Sequence, residues 1–425
     1  MTAVLNDKKP FHSLLDDVDR RTTPWTAQRL AGRTRFRALS LPTARMEDWR
    51  FTSVAPLLKD AFTLGVGEPV DPALLPPLCD PQALRLTFVN GVFDAKLSTD
   101  ETLTGVLFGS LAQPGAAVEA LTKHLGRVAD EQNQVFAALN SALLQDGAYI
   151  LVAANAVIER PIEILYVTKP GVKPKSSQPR SLIVLGRNSR ATVLERFVAV
   201  GEGRAFTNMV SEIVLDEGAH LDHVRIQQEN RQTFHVASVQ VVQSRGSNFT
   251  THSLMFGGEL VRNEVRVRFD SEGCEATVNG LYLARGAQHV DSHTVIDHAQ
   301  PHCNSHELYK GILADKSHGV FNGKIFVRKD AQKTDAKQTN KVLLLSDDAT
   351  INTKPQLEIF ADDVKCTHGA TIGQLDDTQT FYLQSRGIGR DEAKRILTFA
   401  FANDIVGRIK LPAVREEIES ILVNS

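Results

Sequence analysis

Eight apolar segments, each broken by a turn rich in Gly, Asp, Ala or Ser, recur between Ala148 and Ile372. They include LIVLGRNSRATV, EIVLDEGAHLDHV, RVRFDSEGCEATV, LYLARGAQHVDSH, LLLSDDATINTKP and LEIFADDVKCTHG. Anchored before each turn at Leu185, Leu215, Val242, Phe269, Leu283, Leu313, Leu345 and Phe360, they step by 30, 27, 27, 14, 30, 32 and 15 residues. A coil of roughly thirty residues with two such corners produces that series. One strand–turn unit cannot bury its apolar face alone. Stacked coils can, with each strand hydrogen-bonded to its equivalents above and below. The expected class is therefore mainly β, a β-helix or β-solenoid, with a large antiparallel sandwich as the competing architecture. Tight hexapeptide repeats are absent, which disfavours the left-handed acyltransferase type of solenoid.

The flanks carry a different pattern. Residues 1–147 are expected to be mostly helical: Pro24 lies near a helix start with Thr23 as a cap, and DEQNQVFAALNSALLQDGAYILV runs from helix to strand past Gly147. Within that region GEPVDPALLPPLCDP predicts a loop or linker, and Asn90-Gly91 in RLTFVNGVFD predicts a type I′ hairpin. The solenoid core is expected over 148–380 and a C-terminal helical domain over 381–425. In that domain Asp391 and Glu392 suit a helix N-terminus, and Ala393, Leu397, Phe401 and Ile405 form an apolar stripe. Pro412 then starts a second helix. The stripe docks either on the chain's own solenoid or in a partner's groove. Solenoid ends expose open strand edges, and the flanking helical regions can supply the caps.

Composition removes several functions. With 425 residues, 42% hydrophobic, 23% charged and a net charge of −2, the chain shows no global draw toward nucleic acid or a membrane. It has no apolar run of about 18 residues that could span a bilayer. Cys79, Cys274, Cys303 and Cys366 are widely spaced and form no CxxC. That argues against a closed zinc or iron–sulfur site built by this chain alone, and for reduced thiols. Met1–Pro10 lacks the apolar core of a secretory signal, so a cytoplasmic location is expected. Neither GxxxxGK[ST] nor GxSxG occurs.

Eleven of the thirteen histidines lie between His220 and His368. HVDSHTVIDHAQPHCNSH holds His289, His293, His298, His302, Cys303 and His306. A His-x-x-x-His spacing suits zinc on a helix, but in an extended chain those residues lie about 13 Å apart. Glu307 follows the last histidine instead of lying inside the motif. A metal-dependent hydrolase and a carbohydrate-active β-helix enzyme are the alternative functions. KIFVRKDAQKTDAKQTNK has no interleaved aromatics to stack bases and is expected to be a solvated connection. In ADDVKCTHGATIG, a strand would place Val364, Cys366 and His368 on one face, with the last two about 6.5 Å apart. A shared metal or cluster, or a thiol whose ionisation the imidazole helps, stands against a plain core strand with a buried cysteine. Two donors cannot complete a coordination sphere, so such a site needs ligands from elsewhere, another chain included.

Three runs, PHCNSHELYKGILADKSHGVFNGKIFV, AQKTDAKQTNKVLLLSDDATINTKPQLEIFADDVKCTHGATIGQLD and FYLQSRGI, closely resemble the SufB/SufD family of iron–sulfur cluster assembly proteins. MEDWRFT around Trp49 does so too. The ADDVKCTHGATIG form, and the absence of a cysteine-rich N-terminal segment, favour the SufD side of the family. One small departure, NKVLLLS where NLLLS is expected, puts no function in doubt. The resemblance implies a right-handed parallel β-helix core flanked by N-terminal and C-terminal helical regions. It implies a non-catalytic scaffold that pairs with SufB through the β-helices and binds the ATPase SufC through the C-terminal helical domain. Leu397, Phe401 and Ile405 are the partner-binding candidates there. A homodimer is left open where SufB is absent. The histidine of the KC-x-HGA motif, implicated in cluster formation at the SufB–SufD interface, is here His368, with Cys366 beside it in a less defined role. The iron–sulfur cluster would be transient and shared with the partner chain, with none held tightly by the isolated chain.

Overall fold

A parallel strand has no partner within a hairpin's reach and must bond to a segment a whole crossover away. The strands of this protein do so one coil apart. The structure, a computed structural model, describes residues 8–423; most of Met1–Pro10, the stretch that bears on a leader, lies outside the described residues. Strands alternate between two facing sheets. One contains Ala205–Leu215, Thr233–Gln243, Leu260–Phe269, His289–His298, His318–Val327 and Thr350–Ile359. The other contains Arg190–Ala199, His220–Gln228, Asn248–Met255, Glu275–Ala284, Asn304–Leu313, Asp335–Leu344 and Lys365–Gly373. Neighbours pair in parallel, as Asn248 with Glu275, 27 residues on, and His318 with Thr350, 32 residues on. The long steps of the sequence series thus join equivalent strands, and the steps of 14 and 15 cross between sheets. The result is a mainly β solenoid of about eight turns with helices at both termini.

One corner of the coil explains the turn composition. Asn188, Gly218, Gly246, Gly273, His302 and Lys333 each lie two residues before a strand, with φ between 53° and 72°. That left-handed conformation costs a residue with a Cβ about 1 kcal/mol and glycine almost nothing. His302 is therefore a corner residue of the stack.

Both sheets are covered on their outer faces, which is why so many strands are buried throughout instead of alternating. Among the described residues the helices are α1 (Lys9–Asp19), α2 (Thr26–Ala38), α3 (Val118–His124), α4 (Val135–Ala142), α5 (Asp377–Ser385), α6 (Arg390–Val406) and α7 (Pro412–Val423). Phe11 and Leu14 of α1, Phe36 of α2 and Leu139 of α4 pack on Phe206, Phe234 and Leu260 of the first sheet. Ala402, Ile405 and Val406 of α6, with Val414 and Ile418 of α7, pack on Val224, Leu254, Leu281, Leu308 and Ile312 of the second.

Three expectations are corrected. Residues 1–147 are mixed instead of mostly helical: Leu84–Val89 joins the second sheet in parallel with Ile162–Thr168, and Val106–Ser110 pairs antiparallel with Ala148–Val152. The hairpin at Asn90-Gly91 is present, with φ of 50° and 80°, but a single strand outside the repeat gives no period to align. The basic stretch 324–341 is two strands and a turn, with Lys324, Arg328 and Lys333 paired to Glu358, Asp297 and Asp363. The third concerns the caps. The helices cover the flanks of the solenoid and leave its C-terminal end open: Thr350–Ile359 is half-exposed along most of its length, and Lys365–Gly373 is exposed at nearly every residue. The C-terminal helices begin at Asp377, where the Asp376 carboxylate accepts from the Thr378 N–H.

Candidate functional site

The open end is where the Cys366–His368 pair lies. Lys365–Gly373 is the edge strand of its sheet, bonded on one side only, to Asp335–Leu344. Ala336 pairs with Cys366 and Gln338 with His368. Partners in register point to the same face, so Cys366 and His368 both face the interior of the coil. Their surroundings differ. Val364 and Cys366 pack against Ile325, Val327, Ala331 and Ala336. His368, one pleat further along, is exposed. Burial raises the Cys366 thiol above its ordinary value, and the Asp335 carboxylate adds to the shift. At neutral pH the thiol therefore stays protonated, and His368 is not among the groups that shift it.

Beneath His368 runs a column of interior polar groups that no motif marks. Gln338, directly below it, is 2% exposed, and Glu307, below Gln338, is 3% exposed. The Gln338 Nε2 donates to Glu307 Oε2 at 2.8 Å, and the Thr294 hydroxyl, from the facing sheet, donates to Glu307 Oε1 at 2.5 Å. No cation is paired with this carboxyl among the described residues, and burial pushes it up to about 7. Aligning AKQTNK and SHELYK on the thirty-residue period would have placed Glu307, Gln338 and His368 in one column.

The histidine-rich segment does not converge. His289 meets the Thr52 hydroxyl at 2.8 Å, His293 faces Asp291 at 3.1 Å, and His298 reaches Ser305 Oγ at 2.9 Å. His306 is exposed on the next strand. Among the described residues no three His, Cys, Asp or Glu side chains gather as a metal-binding group. The MEDWRFT run ties the N-terminal region to the solenoid. The Arg262 guanidinium stacks on the Trp49 ring at 3.8 Å and donates to the Asp48 carbonyl, while Glu47 pairs with Lys354 of the edge strand Thr350–Ile359.

The apolar stripe of α6 packs on its own solenoid. Ile405 is fully buried there, and Leu397 and Phe401 are half-buried. The buried Lys310 ammonium fixes the contact: it lies 4.7 Å from the Phe401 ring centroid and meets the Phe401 carbonyl at 2.7 Å and Asp404 at 2.9 Å. Ile405 is thus enclosed in the chain's own helix–sheet contact. The exposed apolar groups of the helical domain include Phe381 and Tyr382 of α5. No helix among the described residues is long and apolar enough to cross a membrane.

Fold and site together define a class: a two-sheet β-solenoid whose last coil is uncovered and carries an exposed histidine on its edge strand. Residues 167–401 match the family model of the SufBD core domain of the SUF iron–sulfur cluster system, and residues 16–164 match that of the SufBD N-terminal region. An iron–sulfur cluster assembly SufBD family protein of Synechocystis is 34% identical over 89% of this chain and 86% of its own length. The iron–sulfur cluster assembly protein SufD of Escherichia coli is 31% identical over 97% of this chain and 95% of its own. That of Bacillus subtilis is 27% identical over 67% and 65%. The chain belongs to the SufBD family of iron–sulfur cluster assembly proteins.

Proposed function

We propose that the protein is the SufD-type, non-catalytic scaffold subunit of a cytoplasmic SufB–SufC–SufD assembly, and that it supplies half of a cluster-building site. The observation that carries this reading is the exposure of His368 on an edge strand bonded on one side only. A SufB-type solenoid docking against Thr350–Ile359 and Lys365–Gly373 satisfies the free backbone groups of those strands and brings its own ligands to His368. A neutral imidazole can ligate iron, and an incompletely ligated site can release its cluster to an acceptor. The cluster is cargo here, held between two chains. Cys366 supports the position of His368 by packing beneath the strand.

The C-terminal helices are the site for the SufC-type ATPase. Phe381 and Tyr382 are the exposed contacts, and α6 transmits load to the second sheet through Phe401, Asp404 and Ile405. Movement of that ATPase on nucleotide hydrolysis would then pass through stiff sheets to the open end.

The test is co-purification with SufB-type and SufC-type partners, followed by iron and acid-labile sulfide analysis of the wild-type and His368→Ala complexes. The reading expects an intact complex with at least about tenfold less cluster in the variant. An intact variant complex carrying the wild-type amount of cluster would refute the site.

A further inference from the structure

We propose that Gln338 is a positioning residue for His368: the Gln338 Oε1 accepts an imidazole N–H while Glu307 holds the same amide from behind. This rests on the reading of His368 as a cluster ligand and adds two residues to it.

The Gln338 NH2 is the group that meets Glu307, donating to its Oε2 at 2.8 Å. Thr294 occupies the other oxygen of Glu307, so that carboxyl is held from both sides and its place in the column is fixed. With its NH2 committed downward, Gln338 is left with Oε1, a buried acceptor that no donor among the described residues satisfies. A buried orphan of this kind is costly unless some state of the protein satisfies it. The next residue up the column is His368, one strand spacing of about 4.8 Å away. The register stacks its imidazole, a hydrogen-bond donor, over Gln338.

The facing sheet makes room for this arrangement. Gly323 lies opposite, and a Cβ built there would come within 2.4 Å of the Gln338 Nε2. A side chain at 323 would displace the amide, so the glycine keeps the column straight. An imidazole that donates from one nitrogen presents the lone pair of the other. At the open end that second nitrogen faces the partner and the cluster. Gln338 thereby selects the tautomer that can ligate, as outer hydrogen bonds do for metal-binding histidines in general.

Gln338→Met keeps the volume and removes the acceptor. The wild-type chain, 15N-labelled at histidine and assembled with unlabelled SufB-type and SufC-type partners, should show one dominant His368 tautomer, assigned by its loss in His368→Ala. In Gln338→Met the signal should relax toward the mixture of free imidazole, and cluster content should fall about tenfold, the usual size of an outer-shell effect. An unchanged tautomer and unchanged cluster content in the folded variant, with His368→Ala still deficient, overturns the role of Gln338 and leaves His368 in place. Wild-type cluster content in His368→Ala overturns both. Should Gln338→Met fail to assemble, Gln338→Asn, which withdraws the acceptor by one methylene, is read the same way.

Discussion

The strand Asn304–Leu313 and the strand Lys365–Gly373 are built alike and live differently. Both are parallel members of one sheet, two coils apart, and in the same register. In the first, Leu308 and Ile312 pack under α6 and α7, and Lys310 is buried and bonded to the helix. In the second, the equivalent positions, Gly369, Thr371 and Gly373, are exposed. The repeat sets the backbone of both. What differs is the cover. A middle coil is held by neighbours above, below and outside; the last coil is bonded on one side and offers the other.

The largest expected effect separates the two regions by stability. Ile405→Asp puts a charge into the seam between α6 and the middle coils and should cost about 4 kcal/mol or more. His368→Ala, at the exposed edge, should change stability by no more than roughly 0.5 kcal/mol. Urea denaturation of the two variants checks this, and equal losses would erase the distinction between covered and bare coils.

A smaller effect comes from Glu307. Its carboxyl is shifted up to about 7 by burial, so the folded state favours the protonated form. The associated stability is present below the unfolded pKa of about 4.3 and is lost as pH rises through 7, at most about 4 kcal/mol in all. Glu307→Gln should therefore melt above wild type at pH 8, with the difference shrinking toward pH 5. Thermal melts across that range decide it, and a pH-independent difference would mean the carboxyl is solvated or paired.

The smallest effect is chemical. Cys79, Cys274 and Cys303 are buried, and Cys366 is half-buried. Cys366 should react first with a thiol reagent, and slowly, because burial raises its thiol. The other three should react only on unfolding. Rapid labelling of Cys274 or Cys303 in the native chain would show that the middle coils open.

Much of this architecture is legible in the sequence. The thirty-residue period and its half-steps imply the solenoid because parallel coils repeat the same corner chemistry at Gly218, Gly246 and Gly273. Ile405 stands out as part of an apolar stripe, but a stripe has no address, and docking at home or on a partner leaves the same pattern. The open end is not legible. Covering depends on where a helix lands after the chain leaves Gly373, and α6 lands on the strands around Leu281 and Ile312 instead of over the edge. ADDVKCTHGATIG implies a strand with Cys366 and His368 on one face, as the register shows, but their separation in exposure comes from that landing. The column of Glu307 and Gln338 lies in the sequence at the period itself, hidden because neither residue belongs to a motif.

The central claim is that the bare last coil is the docking end. Hydrogen–deuterium exchange of the chain alone and with its SufB-type partner tests it most directly. The account predicts protection on complex formation concentrated in Thr350–Ile359 and Lys365–Gly373, with the middle coils unchanged. Unaltered exchange in those two strands, with new protection elsewhere on the solenoid, would contradict it.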